Sequence, residues 1–173
     1  MRKDRVSLLY GGMLALAFVS LAGSCGLSSG PDPFGRLIGR TNCKGSGGSV
    51  GGTPAAPASS QECVEYDYDG RSLLRLKHIN AGFNCCPGTV SADIEISGDA
   101  IRIKEKESSS LCDCSCLYDL RYEIIGLDRG TYRISVVGPY QPEGDPPLIV
   151  LLDLEHANSG SACVDRTRYP WGY

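Results

Sequence analysis

The chain has only two histidines, His78 and His156, in 173 residues, and a single tryptophan. So few imidazoles leave general acid–base chemistry little to draw on, and no Gly-x-Ser-x-Gly elbow or other nucleophile motif accompanies either one. A serine–histidine hydrolase is not expected. Nor is there an excess of basic residues: 17 Lys and Arg stand against 20 Asp and Glu, a formal net charge of −3. The acidic groups are scattered, so they read as a solvated surface, and neither nucleic acid nor anionic lipid is indicated as a partner. No cofactor signature is present, and none is expected. From residue 62 onward no apolar stripe recurs with the 3.6-residue helical period, which argues against a helical domain.

What is present begins with export. Arg2, Lys3 and Arg5 precede an apolar run from Val6 to Ala22, broken only by Ser7, Tyr10, Gly11-Gly12 and Ser20. This run is shorter than the roughly 20 residues that span a bilayer, and the small residues Gly23 and Ser24 follow it, so a cleaved signal is expected. The segment Leu21-Ala22-Gly23-Ser24-Cys25 resembles the lipobox of bacterial lipoproteins, with Ala22 where leucine is usual and the leucine one place further back. The resemblance implies cleavage before Cys25 and a diacylglyceryl thioether on that cysteine, usually with an acylated amine as well. Each buried methylene of such palmitate-type chains contributes about 0.8 kcal/mol to membrane binding, so two or three chains hold firmly. Gly26 stands where members kept at the inner membrane often have Asp, which points to the outer membrane.

Cleavage would leave 149 of the 173 residues, with 14 basic and 19 acidic groups and a net charge of −5. The expected organisation is a signal peptide over 1–24, a lipidated cysteine and flexible tether over 25–61, and a Cys-rich domain over 62–173. The tether assignment rests on composition: Gly45-Ser46-Gly47-Gly48 and Thr53-Pro54-Ala55-Ala56-Pro57 are too poor in large apolar groups to fold alone. As a free coil, residues 26–62 would span roughly 35 Å. Cys43 is the one feature that does not suit an inert spacer.

Beyond residue 62 the apolar period is two. Val64, Tyr66 and Tyr68 alternate with Glu65, Asp67 and Asp69, and Asp69-Gly70 then turns the chain into Leu73–Ile79, which predicts a hairpin. Val90–Ile96 and Ile101–Lys106, joined at Ser97-Gly98-Asp99, predict a second. Leu120–Ile125 and Tyr132–Val137, joined through Leu127-Asp128-Arg129-Gly130, predict a third. Leu148–Leu154 is too apolar for an edge and is expected in a sheet centre. The expected fold is therefore all-β, a small antiparallel β-sandwich braced by disulfides behind its tether. Gly126–Val136 is similar to the late hairpin of prealbumin-like and bacterial immunoglobulin-like modules, which supports the fold and carries no function.

Nine cysteines suit an oxidising compartment. Setting Cys25 aside leaves an even eight: Cys43, Cys63, Cys85, Cys86, Cys112, Cys114, Cys116 and Cys163. Four bridges among eight thiols allow about 105 pairings. If 112–116 is extended, its three thiols lie on one face about 6.6 Å apart. Sulfurs on one zinc must lie within about 4 Å of each other, so three separate partners are favoured. Cys85 and Cys86 would supply two and Cys63 or Cys163 the third, leaving a last pair that includes Cys43. The alternative is a thiolate site for Cu(I), zinc or an iron–sulfur centre, or a redox-active pair, built on the five clustered cysteines. Asn84-Cys85-Cys86-Pro87, Cys112-Asp113-Cys114-Ser115-Cys116 and Arg168-Tyr169-Pro170-Trp171-Gly172 together resemble a group of exported bacterial proteins of unassigned function, which implies a recurring scaffold and brings no catalytic residues.

Other candidate sites are weaker. Asp67-Tyr68-Asp69-Gly70 has the opening of a calcium loop, but its twelfth position is His78 where an EF-hand has Glu, so a hairpin turn is expected. His78 reads as a strand residue and His156 as a loop residue. Tyr169, Trp171 and Tyr173 suit either an aromatic contact surface for sugar or peptide or a tail packed over the sandwich. The function expected is a non-enzymatic structural or interaction role at the cell envelope, held to the membrane by lipid. An envelope protein or glycan is the expected partner, and thiolate metal binding is the alternative function.

Overall fold

Period-two patterning across most of the chain gives strands and no helix among the described residues. The computed structural model describes residues 31–44, 57–141 and 143–167. Nine strands follow in order: β1 (Phe34–Arg40), β2 (Gln61–Tyr68), β3 (Leu73–Asn84), β4 (Val90–Ser97), β5 (Ala100–Glu107), β6 (Ser115–Ile125), β7 (Thr131–Val137), β8 (Leu148–Asp153) and β9 (Ser159–Asp165). They form a five-stranded sheet ordered β1-β6-β3-β2-β9 and a four-stranded sheet ordered β4-β5-β7-β8. The core lies between them. Val64, Leu74, Leu76, Leu120 and Ile124 of the larger sheet meet Ile101, Ile103, Ile134, Val150 and Leu152 of the smaller. Fully burying one such side chain contributes about 1.5 to 3 kcal/mol.

Two expected hairpins are present. β2 and β3 pair from Cys63↔Ile79 to Tyr68↔Leu74, and Asp69 closes the turn by accepting the backbone N–H groups of Arg71, Ser72 and Leu73 on one oxygen. The adjacent Gly70 has φ 78°, a conformation that costs glycine nothing. β4 and β5 pair from Val90↔Glu107 to Ser97↔Ala100 around Gly98-Asp99.

The third expected hairpin is not formed. β6 belongs to the larger sheet and β7 to the smaller, so 126–130 is a crossover between sheets. Its residues explain why: Leu127 is buried, the Tyr68 hydroxyl donates to its carbonyl, and the Tyr132 hydroxyl donates back to the Asp128 carbonyl four residues upstream. That last bond has the form of the tyrosine corner of immunoglobulin-like sandwiches. Arriving from the opposite sheet, β7 lies parallel to β5, an exception in an otherwise antiparallel fold. β8 also departs from expectation, since it is an edge strand of the smaller sheet. Leu148, Val150 and Leu152 face the core, whereas Leu151 is 71% exposed.

Composition misassigned the start of the fold. Residues 34–40, expected in the tether, form edge strand β1, which pairs with β6 from Phe34↔Ile125 to Arg40↔Leu120, and Lys44 bridges Leu117 beyond it. Gly35 lets β1 lie close over the smaller sheet, because a Cβ there would lie 2.5 Å from the Ile94 side chain of β4. Strand β3 is also longer than its alternation suggested. A bulge at Asn80, the one non-glycine residue with positive φ among those described (62°), moves the inward phase from Leu74, Leu76 and His78 to Ala81 and Phe83.

Candidate functional site

Two arrangements hold the chemically capable side chains: a buried polar network between the sheets and a two-disulfide clasp at one pole. The network follows from strand phase. His78 stands two residues past Leu76 on β3, Glu62 two before Val64 on β2, and Glu105 two past Ile103 on β5, so all three face inward. His78 Nδ1 lies 2.7 Å from Glu105 Oε1 and Nε2 lies 2.7 Å from Glu62 Oε1. Tyr122 of β6 donates its hydroxyl to the same Glu105 oxygen at 2.6 Å. Arg166, just after β9, donates Nε and Nη2 to Glu62 Oε2 and Nη1 to the Pro146 carbonyl. Glu105 Oε2 is buried without a hydrogen-bond partner among the described residues.

The electrostatics are those of a closed, neutral quartet. Burial alone would favour neutral His78, but the charge and hydrogen bond of Glu105, followed by those of Glu62, raise its pKa from 6.5 to about 10. It is an imidazolium at neutral pH, with both ring nitrogens donating. Burial pushes the Glu62 carboxyl up, and the bonds and charges of His78 and Arg166 outweigh it, holding the group below 4.5. Burial, then the neighbouring Glu105 carboxylate, keeps Tyr122 protonated. Two cations thus face two anions. His78 is 1% exposed, and the network joins the sheets: Glu62 and His78 belong to the larger and Glu105 to the smaller.

The eight cysteines form four bridges: Cys43–Cys116, Cys63–Cys163, Cys85–Cys114 and Cys86–Cys112. Cys85 and Cys86 do take two of the three thiols of 112–116, as their proximity suggested. The rest of the expected pairing is corrected. Cys63 and Cys163 are register partners on neighbouring strands β2 and β9, with α-carbons 4.0 Å apart, and so pair with each other. The third partner is Cys43, which β1 carries alongside β6. The segment 112–116 is also not extended throughout, since it bends at Cys112 and Asp113 before β6 begins.

Asn84 organises the clasp. Its amide nitrogen donates to the Cys112 carbonyl, its amide oxygen accepts the N–H groups of Cys86 and Cys112, and the Tyr118 hydroxyl donates to its own carbonyl. With all five clustered cysteines bridged, none is a thiolate ligand in this oxidised form.

The remaining candidates are simpler. Asp69 caps a hairpin turn, and Asp67 pairs with Arg75 at 3.6 Å. His156 is exposed and lies 2.9 Å from Asp153, whose hydrogen bond and charge raise its pKa. With Glu155 these two could offer ligand atoms to a cation, but Asp153 Oδ1 already accepts the backbone N–H groups of Glu155 and His156 in a solvated turn. Cys25 and the aromatic tail residues Tyr169, Trp171 and Tyr173 lie outside the described residues. Sequence reasoning missed Glu62, Glu105, Tyr122 and Arg166. For Glu62, Glu105 and Tyr122 the available signal was an ionisable residue standing in the apolar phase of its strand; Arg166 lies just past β9. Comparison with protein-family models, curated proteins and solved structures finds no match to this chain.

Proposed function

We propose that the protein is a lipid-anchored component of the bacterial cell envelope, probing no substrate of its own and acting as a rigid, non-enzymatic interaction or structural module. The observation that carries this reading is the complete pairing of Cys43, Cys63, Cys85, Cys86, Cys112, Cys114, Cys116 and Cys163 into four bridges, which suits an exported chain. It leaves Cys25, in its lipobox-like setting, as the odd cysteine. The one buried histidine is enclosed by carboxylates inside the core, which favours a structural role over catalysis. The anchor sits in the outer membrane on this reading, and an envelope protein or glycan is the partner.

The test is the intact mass of the full chain, exported from a Gram-negative host and purified from membranes without reductant. A mass showing removal of residues 1–24, added acyl chains and the loss of eight hydrogens supports the reading, and Cys25→Ala should release the protein from membranes. Fewer bridges with a retained metal ion would overturn it in favour of thiolate metal binding by the clustered cysteines.

A further inference from the structure

The strand that composition had assigned to the tether limits how far the domain can stand from an anchor at Cys25. We propose that the pole at which the chain enters the sandwich is held against the bilayer headgroups, and that the disulfide clasp at the opposite pole is presented away from them. This rests on the reading that Cys25 is the lipidated residue.

The argument starts from where β1 begins. Phe34 pairs with Ile125, which also pairs with Leu73, and Pro33 passes so close to Gly126 that a Cβ there would lie 3.1 Å from the Pro33 α-carbon. The chain therefore enters beside the turns at 69–72, 126–130 and 153–158. The clasp lies at the other end, where Asn84 pairs with Ser115 and Cys85 and Cys86 continue beyond it. From Ile125 to Ser115 is ten residue steps of β6, about 33 Å at strand rise, and the clasp extends past that.

The link to Cys25 is short by comparison. Cys25 to Phe34 is nine residue steps, at most about 32 Å when fully extended. Standing the domain upright on the clasp would lift Phe34 by at least as much as that segment reaches at full extension, leaving it no slack. Upright or tilted orientations with the entry pole down remain within reach. Attraction to anionic lipid is not the cause, since Asp69, Asp99, Asp128, Asp153 and Glu155 outnumber Arg71, Arg129 and His156 at this pole. The apposition is covalent, and so should be indifferent to anionic lipid content.

The experiment uses the processed, lipidated full chain in phosphatidylcholine vesicles that carry a contact-range quencher on some headgroups. A fluorophore is installed through a non-canonical amino acid at Glu155, at the entry pole, or at Ser110, beside the clasp; both positions are exposed. Quenching several-fold greater at 155 than at 110 is expected, unchanged when anionic lipid is added, and a long Gly/Ser insertion between Gly30 and Pro31 should abolish the difference. Equal or reversed quenching in a chain whose mass shows the lipid would overturn the orientation and leave the anchor standing. A chain that carries no lipid would overturn the anchor, and this inference with it.

Discussion

At the scale of single residues, His78 carries the largest electrostatic stake in the fold. Replacing it removes a buried cation from between Glu62 and Glu105, and losing one member of a buried ion pair costs about 3 to 5 kcal/mol. His78→Gln should lower the urea midpoint accordingly. The double variant His78→Gln, Glu105→Gln, which deletes cation and anion together, should lose less than the single one; an equal or greater loss would refute the ion-pair account. The same residue sets a pH dependence. Its folded pKa of about 10 exceeds the unfolded 6.5, so the native state holds the proton more tightly. That contribution is fully present below pH 6.5 and is lost as pH rises through about 10. Glu62 acts at the other end, because its lowered pKa contributes stability above 4.5 that disappears in acid. Urea unfolding without reductant at pH 5.5, 7.5 and 9.5 should show stability falling across the series, with a flatter profile in His78→Gln. Asn80 is a second residue held against its preference. Its positive φ is compensated by bonds from its amide to the Ala58 and Gln61 carbonyls, and by the Lys44 ammonium on its amide oxygen.

At the scale of elements, β1 is the one most dependent on a covalent tie. It is an edge strand, exposes Phe34 and Ile38, and is joined to the rest of its sheet through β6 alone. The Cys43–Cys116 bridge closes a sequence separation of 73 residues just beyond its end. By loop entropy such a closure contributes at most about 4.4 kcal/mol, less where other bridges already confine the same loop. Cys43→Ser with Cys116→Ser should therefore raise hydrogen exchange at 34–40 well before it affects β3 or β6. Uniform exchange across the larger sheet would mean that β1 is integral to the cooperative unit. The clasp responds differently, because Asn84 supports it by hydrogen bonds on both sides. Losing Cys85–Cys114 alone should leave 84–88 ordered.

At the scale of the whole molecule, two sheets are joined by an apolar core and a neutral polar quartet, four bridges brace the larger sheet and the loops that leave it, and the position of β1 shortens the link to any anchor at Cys25. How much of this was legible in the chain depended on whether the signal was local. Alternation of Val64, Tyr66 and Tyr68, the Asp69-Gly70 and Gly98-Asp99 turns, and the even cysteine remainder are properties of neighbouring residues, and from them the all-β, disulfide-braced class could be read directly. The inward phase of His78, Glu62 and Glu105 was written in the same alternation, yet only the facing of the two sheets brings β5 against β2 and β3 and makes a network of them. The crossover at 126–130, the edge position of β8, the parallel β5–β7 pair and the partners of Cys43 and Cys63 depend on which strands become neighbours. Pairing energy is nearly indifferent to chain separation, and a turn sequence does not state which sheet the next strand joins. Composition likewise hid β1, since a Gly-containing segment that cannot fold alone can still be ordered by the strand it pairs with. The sequence by itself determined the all-β, disulfide-braced class and most of the strands; the tertiary structure added β1 and β9 and decided which strands are neighbours, because only packing selects among strands that are locally alike.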